Sequence, residues 1–203
     1  MHQEAITSAA KKIFERFPGF PDFYLAGGTG LALQLGHRVS VDFDLFWGKE
    51  IPKDLLAKVE KVFANFPLEV RLNHSEQLTV VINGVNLSFV KYPFPVLLEL
   101  MDYQGVKILP TLEIGSMKAY TLGRRATFKD YVDLYFILKA NALEKMINLA
   151  GKKYQDKFDP RLFLEQLIYL EDVQEEKLVF LKDAASKAEI ANFFQQEIKK
   201  IKI

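Results

Sequence analysis

Cysteine is absent from this 203-residue chain, which excludes disulfide cross-links and thiolate-bound metal. Histidine is scarce: His2, His37 and His74 are isolated in the sequence, so a histidine metal site is not expected. A charge excess of either sign is also missing. The 27 basic and 26 acidic residues leave a net charge of +1, so no global attraction to nucleic acid or to a membrane surface is implied. Long apolar runs are missing too. The stretch PVLLELM is interrupted by Glu99 and falls far short of the roughly 20 residues that span a bilayer. The polar, periodic first 17 residues lack the apolar segment and cleavage site of a secretory signal. With no internal repeat, low-complexity run or flexible linker, the expectation is a soluble cytoplasmic protein with no membrane partner.

What is present is apolar and aromatic. Hydrophobic residues make up 49% of the chain and aromatic residues 13%, enough to bury a substantial core. The 17 phenylalanines are more economically core than base-stacking platforms. Apolar spacing predicts a helix over residues 3–17, stopped by Pro18-Gly19. Strands are expected at 23–26 and 39–46, separated by a short helix at 29–35 that Thr29 would cap and Gly36 would end. Pro52 opens a further helix through Phe63. Strands at 68–73, 77–82 and 85–90 follow, the last two joined by the hairpin signal Asn83-Gly84. One more short strand is expected at 106–109. From Thr111 onward the pattern turns helical, at 112–122, 127–139, 160–170 and 186–201. The expected fold class is α+β. A mixed β-sheet core with flanking helices occupies residues 1–110, and a helical bundle occupies 111–203.

Chemistry concentrates in residues 23–47, FYLAGGTGLALQLGHRVSVDFDLFW. Residues two apart in a strand share a face, so Asp42 and Asp44 would aim together while Val41, Phe43 and Leu45 enter the core. Two carboxylates aimed at one point suit Mg²⁺, singly or as an ion pair, shared with substrate phosphates. Two acids in so apolar a strand are costly unless a positive charge meets them. Ahead of them, Gly27 and Gly28 let a ligand approach the backbone, and the helix that follows presents free N–H groups to an anion. Thr29 and Ser40 add hydroxyls, and Arg38 a cation. Each feature alone has a bland reading, as a tight turn or a solvated strand end; together they point to phosphate and metal.

The segment GGTGLALQLGHRVSVDFDLF resembles the first motif of the DNA polymerase beta-like nucleotidyltransferases, in which a glycine pair and a small hydroxyl residue precede a D-x-D. More closely it resembles the AbiEii/AbiGii toxins of abortive-infection toxin–antitoxin systems. The branch also has a helical lysine, a following arginine and an R/K-D-x-x-D-L run. Lys118 in EIGSMKAYTL, Arg124-Arg125 and the run from Lys129 to Leu134 are similar. The resemblance implies a nucleotidyltransferase-like core whose active site the helical region completes. Gly27, Gly28, Thr29 and Ser40, with Arg38, Arg125 and Lys129, would bind the nucleoside triphosphate. Asp42 and Asp44 would hold Mg²⁺. Lys118 would meet a phosphate or the acceptor, and Asp130 or Asp133 would complete the pocket. The acceptor would be RNA, such as a transfer RNA, or protein, and a cognate antitoxin would be encoded nearby. The plain alternative for Asp130 and Asp133 is a bundle helix whose acids answer Arg124, Arg125 or Lys129.

One departure stands out. Polymerase beta-like enzymes usually place a third carboxylate on a later strand, and here the matching position is Ser88, which is no comparable base or ligand at neutral pH. Glu69 is the nearest acidic substitute, if register allows. Two further readings follow: a nucleotide-binding or regulatory module of the same fold with reduced catalysis, and a nucleotidyltransferase acting on a small molecule of the antibiotic type.

Overall fold

Phe14, Phe17, Phe43, Phe63 and Phe89 are buried in one apolar cluster. They come from helix and strand alike, so burying them requires the helices to lie on the sheet. The computed structural model, which describes residues 1–201, divides into two units: Met1–Pro95 with Glu99–Pro110, and Val96–Leu98 with the chain from Thr111 on.

The first unit is built on a mixed sheet of seven strands: β1 (Tyr24–Ala26), β2 (Phe43–Trp47), β3 (Leu68–His74), β4 (Gln77–Ile82), β5 (Val85–Lys91), β6 (Met101–Tyr103) and β7 (Val106–Ile108). Their spatial order is β3-β4-β5-β2-β1-β7-β6. Helices α1 (Ser8–Phe14) and α3 (Leu55–Val62) bury apolar residues in the same cluster as the sheet. Helix α2 (Gly27–Leu35) leaves directly from the end of β1. The β4–β5 hairpin turns at Asn83 (φ 50°) and Gly84 (φ 79°), both left-handed as a two-residue hairpin of this kind needs.

Strand register explains the burial. Ile108, Leu25, Leu45, Phe89 and Leu78 lie side by side across five strands, and all are buried. One residue along, Ala26, Asp44, Ser88 and Thr79 form the neighbouring rung. By the two-residue alternation of a strand, this rung faces the other side of the sheet. The sheet thus has an apolar face and a face carrying polar groups at its centre.

The second unit is helical: α4 (Thr111–Leu122), α5 (Phe128–Ala140), α6 (Leu143–Tyr154), α7 (Pro160–Ile168) and α8 (Lys187–Lys199). Helix α4 packs against α5 and α6, and α8 against α5 and α7. A Cβ on Gly115 would sit 2.8 Å from Met146 Sδ and 3.2 Å from Ile137 Cγ2, so the missing side chain is what admits α5 and α6 so close to α4. Asp159 caps α7 by accepting from the Arg161 and Leu162 amides, and Ser186 with Glu189 forms a capping box on α8.

Several expected boundaries move. The helix expected over 3–17 is α1 alone, capped by Thr7 and flanked by short 3₁₀ turns at Gln3–Ala5 and Phe17–Gly19. The helix expected at 160–170 ends at Ile168 and gives way to a 3₁₀ turn. The last helix stops at Lys199. Helix α6 and strand β6 were not anticipated. Strand β2 covers Phe43–Trp47 rather than 39–46, because the preceding residues direct their hydrogen bonds elsewhere: the Ser40 amide donates to the Ala5 carbonyl and the Asp42 carbonyl accepts from the Thr29 side chain.

Candidate active site

In the first unit, the polar rung meets the start of α2. Gly27 follows Ala26 with φ 65°, a conformation costly for other residues. A Cβ there would lie 2.8 Å from Asp44 Oδ2, so the Asp44 carboxylate rests against the glycine itself. A Cβ on Gly28 would lie 2.6 Å from Arg38 Nη2 and 3.4 Å from Ser40 Oγ. The glycine pair is therefore the floor on which an acid, a guanidinium and a hydroxyl converge. Gly36, left-handed at φ 59°, ends α2 and turns the chain back toward that floor.

Thr29 lies inside the first turn of α2, since the helix starts at Gly27, and so does not cap it. Its buried side chain instead braces the loop before β2. Thr29 Oγ1 donates to the Asp42 carbonyl and stands 2.8 Å from Ser40 Oγ. Arg38 is 4% exposed and donates to the Val39 carbonyl at 3.1 Å.

The two aspartates differ in environment. Asp44 is half-buried within β2, whereas Asp42 is exposed ahead of it. Phe43 and Leu45 enter the core as expected, but Val41 is 45% exposed because the chain there is not yet a strand. The burial penalty that the sequence pattern assigns to both acids thus falls chiefly on Asp44. Asp42 Oδ1 accepts a 2.9 Å hydrogen bond from Asn86 Nδ2. Ser88 is paired in register with Asp44, and its Oγ lies 3.2 Å from Thr79 Oγ1. Glu69 cannot replace an acid at Ser88. It is opposite Val81 on β3, with β4 between its strand and β5, and it pairs with Arg71 at 3.1 Å.

Among the described residues no group of three or more acids, histidines or cysteines is arranged to hold a metal ion. The donor set at Asp42 and Asp44 is two carboxylates with hard oxygen ligands. That suits Mg²⁺, which commonly takes one or two protein carboxylates and completes its shell with phosphates and water.

In the second unit, Lys118 on α4 and the two acids of α5 form a buried cluster. Lys118 Nζ lies 2.9 Å from Asp130 Oδ1 and 2.7 Å from Asp133 Oδ2. Thr127 Oγ1 donates to Asp130 Oδ2 at 2.7 Å. Burial alone would push the Lys118 ammonium down, but the charges of Asp133 and Asp130 outweigh it and hold it above the usual lysine range. Asp130 is likewise opposed by burial, yet the Lys118 charge and the Thr127 hydroxyl hold its carboxyl below the usual range. Asp130 and Asp133 thus answer Lys118, rather than the Arg124, Arg125 or Lys129 of the plain alternative. Arg124 stacks on the Tyr120 ring at 3.8 Å, while Arg125 and Lys129 are exposed.

A second buried ion pair was not anticipated. Lys153 Nζ lies 2.6 Å from Glu113 Oε1, with both side chains fully buried. The Glu113 carboxylate also accepts the Leu97 and Leu98 amides at 2.9 and 2.8 Å, which fastens Val96–Leu98 to α4. Burial holds the Lys153 ammonium below the usual range, and Glu113 recovers only part of that shift. The partners are 40 residues apart on separate helices, a separation at which no sequence spacing rule pairs them.

The family model described as "Nucleotidyl transferase AbiEii toxin, Type IV TA system" matches residues 11–77 and 70–202. The chain belongs to the AbiEii family. An uncharacterized protein of Aquifex aeolicus (strain VF5) is 31% identical over 182 residues, covering 88% of this chain and 87% of that one. Among solved structures, JHP933 of Helicobacter pylori is 19% identical over 98% of this chain and 93% of its own, with a TM-score of 0.61. MenT4, a nucleotidyltransferase toxin of Mycobacterium tuberculosis, is 14% identical over 95% and 86% of the two chains, with a TM-score of 0.60. These likenesses show a nucleotidyltransferase fold. The chain thus has the family and the fold of nucleotidyl transferases, and none of its described helices is long and apolar enough to cross a membrane.

Proposed function

We propose that this AbiEii-family protein transfers a nucleotide from a nucleoside triphosphate to an acceptor hydroxyl on RNA or protein, releasing pyrophosphate. The observation that carries the reading is the seating of Asp44 against Gly27, with Arg38 and Ser40 against Gly28. A phosphate chain and a cation binding there would meet backbone N–H groups, a guanidinium and the Asp44 carboxylate together, with Asp42 two residues earlier in the chain. Gly27 and Gly28 admit the phosphates to the start of α2, whose free amides favour negative charge. Arg38 and Ser40 contribute a cation and a hydroxyl, and Thr29 keeps the D-x-D loop in place. Asp42 and Asp44 would hold Mg²⁺. The ion supplies neutralisation of the phosphate charge and polarisation of the phosphorus that is attacked.

In-line phosphoryl chemistry asks little covalent work of a protein, so positioning and charge carry most of the rate. Lys118, Asp130, Asp133, Arg125 and Lys129 enter the proposal by family resemblance, as groups for phosphate or acceptor. The biological role proposed is the toxin of an abortive-infection toxin–antitoxin pair, acting in the cytoplasm, with a cognate antitoxin encoded nearby. Ser88, neutral beside Asp44, favours one second reading: a module that binds nucleotide with reduced or no transfer.

The test is incubation with each labelled nucleoside triphosphate, Mg²⁺ and either total RNA or total protein, using wild type and Asp44→Ala. Transfer that needs Mg²⁺ and disappears in Asp44→Ala supports the enzyme. Nucleotide binding without transfer to either acceptor class supports the second reading. Transfer undiminished in Asp44→Ala overturns the proposed site.

A further inference from the structure

Asn86 belongs to no motif, yet it makes a direct contact with one of the two proposed cation ligands. It lies on β5 two residues before Ser88, so both side chains fall on the face that carries Asp44. Its Nδ2 donates to Asp42 Oδ1 at 2.9 Å. Asp42 needs such a partner more than Asp44 does. Asp44 is held within β2 and rests against Gly27, while Asp42 lies ahead of the strand with its side chain in solvent. The Asp42 backbone is already fixed, because its carbonyl accepts from Thr29. What remains free to turn is the carboxylate.

We propose that Asn86 is the positioning residue for Asp42, holding one carboxylate oxygen so that the other is presented to the divalent cation. The proposal rests on the reading that Asp42 and Asp44 bind that cation. The chemistry of the pair fits it: an amide N–H donates to a carboxylate without neutralising it, so Asp42 keeps its full charge for the metal. A lysine in the same place would orient Asp42 equally well but would compete with the cation for its charge. A neutral donor at 86 orients the ligand and leaves it charged.

The test measures metal directly. Mn²⁺ affinity is read by electron paramagnetic resonance in the presence of a non-hydrolysable nucleoside triphosphate analogue. Wild type is compared with Asn86→Leu, which keeps the volume and removes the donor, with Asn86→Ala, and with Asp42→Asn. A hydrogen bond to a charged group contributes on the order of 1.5 kcal/mol, so both Asn86 variants should weaken Mn²⁺ about tenfold. Their thermal midpoints should stay at the wild-type value, since Asn86 is exposed. Asp42→Asn should weaken Mn²⁺ more than either. Wild-type Mn²⁺ affinity in both Asn86 variants, with Asp42→Asn impaired, overturns the role of Asn86 and leaves the metal site standing. Wild-type affinity in Asp42→Asn overturns the metal reading itself. Weakening matched by a loss of thermal stability in both Asn86 variants marks a structural residue and also overturns the proposal.

Discussion

Lys118→Met removes the cation that two carboxylates share. Asp133 is fully buried and the Asp130 side chain is 13% exposed, with lysine distances of 2.7 and 2.9 Å. After the substitution, Asp130 keeps the Thr127 hydroxyl, but both carboxylates lose the Lys118 charge. Breaking a buried pair from one side costs about 3–5 kcal/mol, because the remaining charge stays desolvated. In a chain of this size each kcal/mol moves the thermal midpoint by roughly 2–4 °C, so the expected fall is on the order of 10 °C.

The pH dependence gives a sharper signature. In wild type the Asp130 carboxyl is held below its unfolded value. Its contribution is therefore complete above the ordinary aspartate range and is lost as pH falls through the lower folded value. Lys118, held above its unfolded value, contributes fully below the ordinary lysine range and loses that contribution as pH rises through the higher folded value. In Lys118→Met the sign for Asp130 reverses. Without the Lys118 charge, the burial that already opposes its carboxylate prevails and raises it above the unfolded value, so the folded state takes up a proton first and the variant gains stability as pH falls from neutral toward the ordinary aspartate range. Urea unfolding followed by circular dichroism across that range reads both effects. Adding Asp130→Asn and Asp133→Asn to Lys118→Met should recover much of the loss. A single variant within about 1 kcal/mol of wild type, or one with the wild-type pH slope, would refute the reasoning. The result also bears on activity assays, since an inactive Lys118 variant speaks to chemistry only at a pH where it is folded.

Two further outcomes follow from the same geometry. Gly27→Ala forces a side chain into a left-handed conformation, costing roughly 1–2 kcal/mol, and displaces Asp44 Oδ2. Gly28→Ala also meets close side-chain atoms, Arg38 Nη2 at 2.6 Å and Ser40 Oγ at 3.4 Å, but Gly28 has no positive φ to strain. Unfolding should therefore show Gly27→Ala as the less stable of the two, and equal stabilities would contradict a backbone cost at the left-handed Gly27. Lys153→Met leaves Glu113 buried with only the Leu97 and Leu98 amides, at a cost of about 3 kcal/mol. Lys153→Met/Glu113→Gln should be more stable than the single variant by thermal denaturation, and a double variant that is less stable would exclude a charge effect.

Local patterns were read directly from the sequence. Asn83-Gly84 specifies its hairpin because both residues accept positive φ, and Asp159-Pro160 opens α7 because one caps and the other starts a turn. The proximity of Gly27-Gly28 and the D-x-D in the chain made the candidate site legible before any geometry. Helix α6 was overlooked because Ala142 provides no side-chain cap to announce it. The start of β2 was misplaced because apolar alternation over 39–46 does not reveal that Ser40 and Asp42 direct their backbone hydrogen bonds to the N-terminal segment and to Thr29.

By itself, then, the sequence determined most of the helical and strand segments and where the glycine pair and the acids proposed for phosphate and cation gather. Those properties depend on neighbours within a few positions. Tertiary structure alone decided that Ser88 pairs with Asp44, that Asn86 reaches Asp42, and that Lys118 and Lys153 choose Asp130 with Asp133 and Glu113. Strand order and helix packing bring those partners together across 12 to 44 residues of chain, and a buried charge settles on whichever opposite charge the fold delivers.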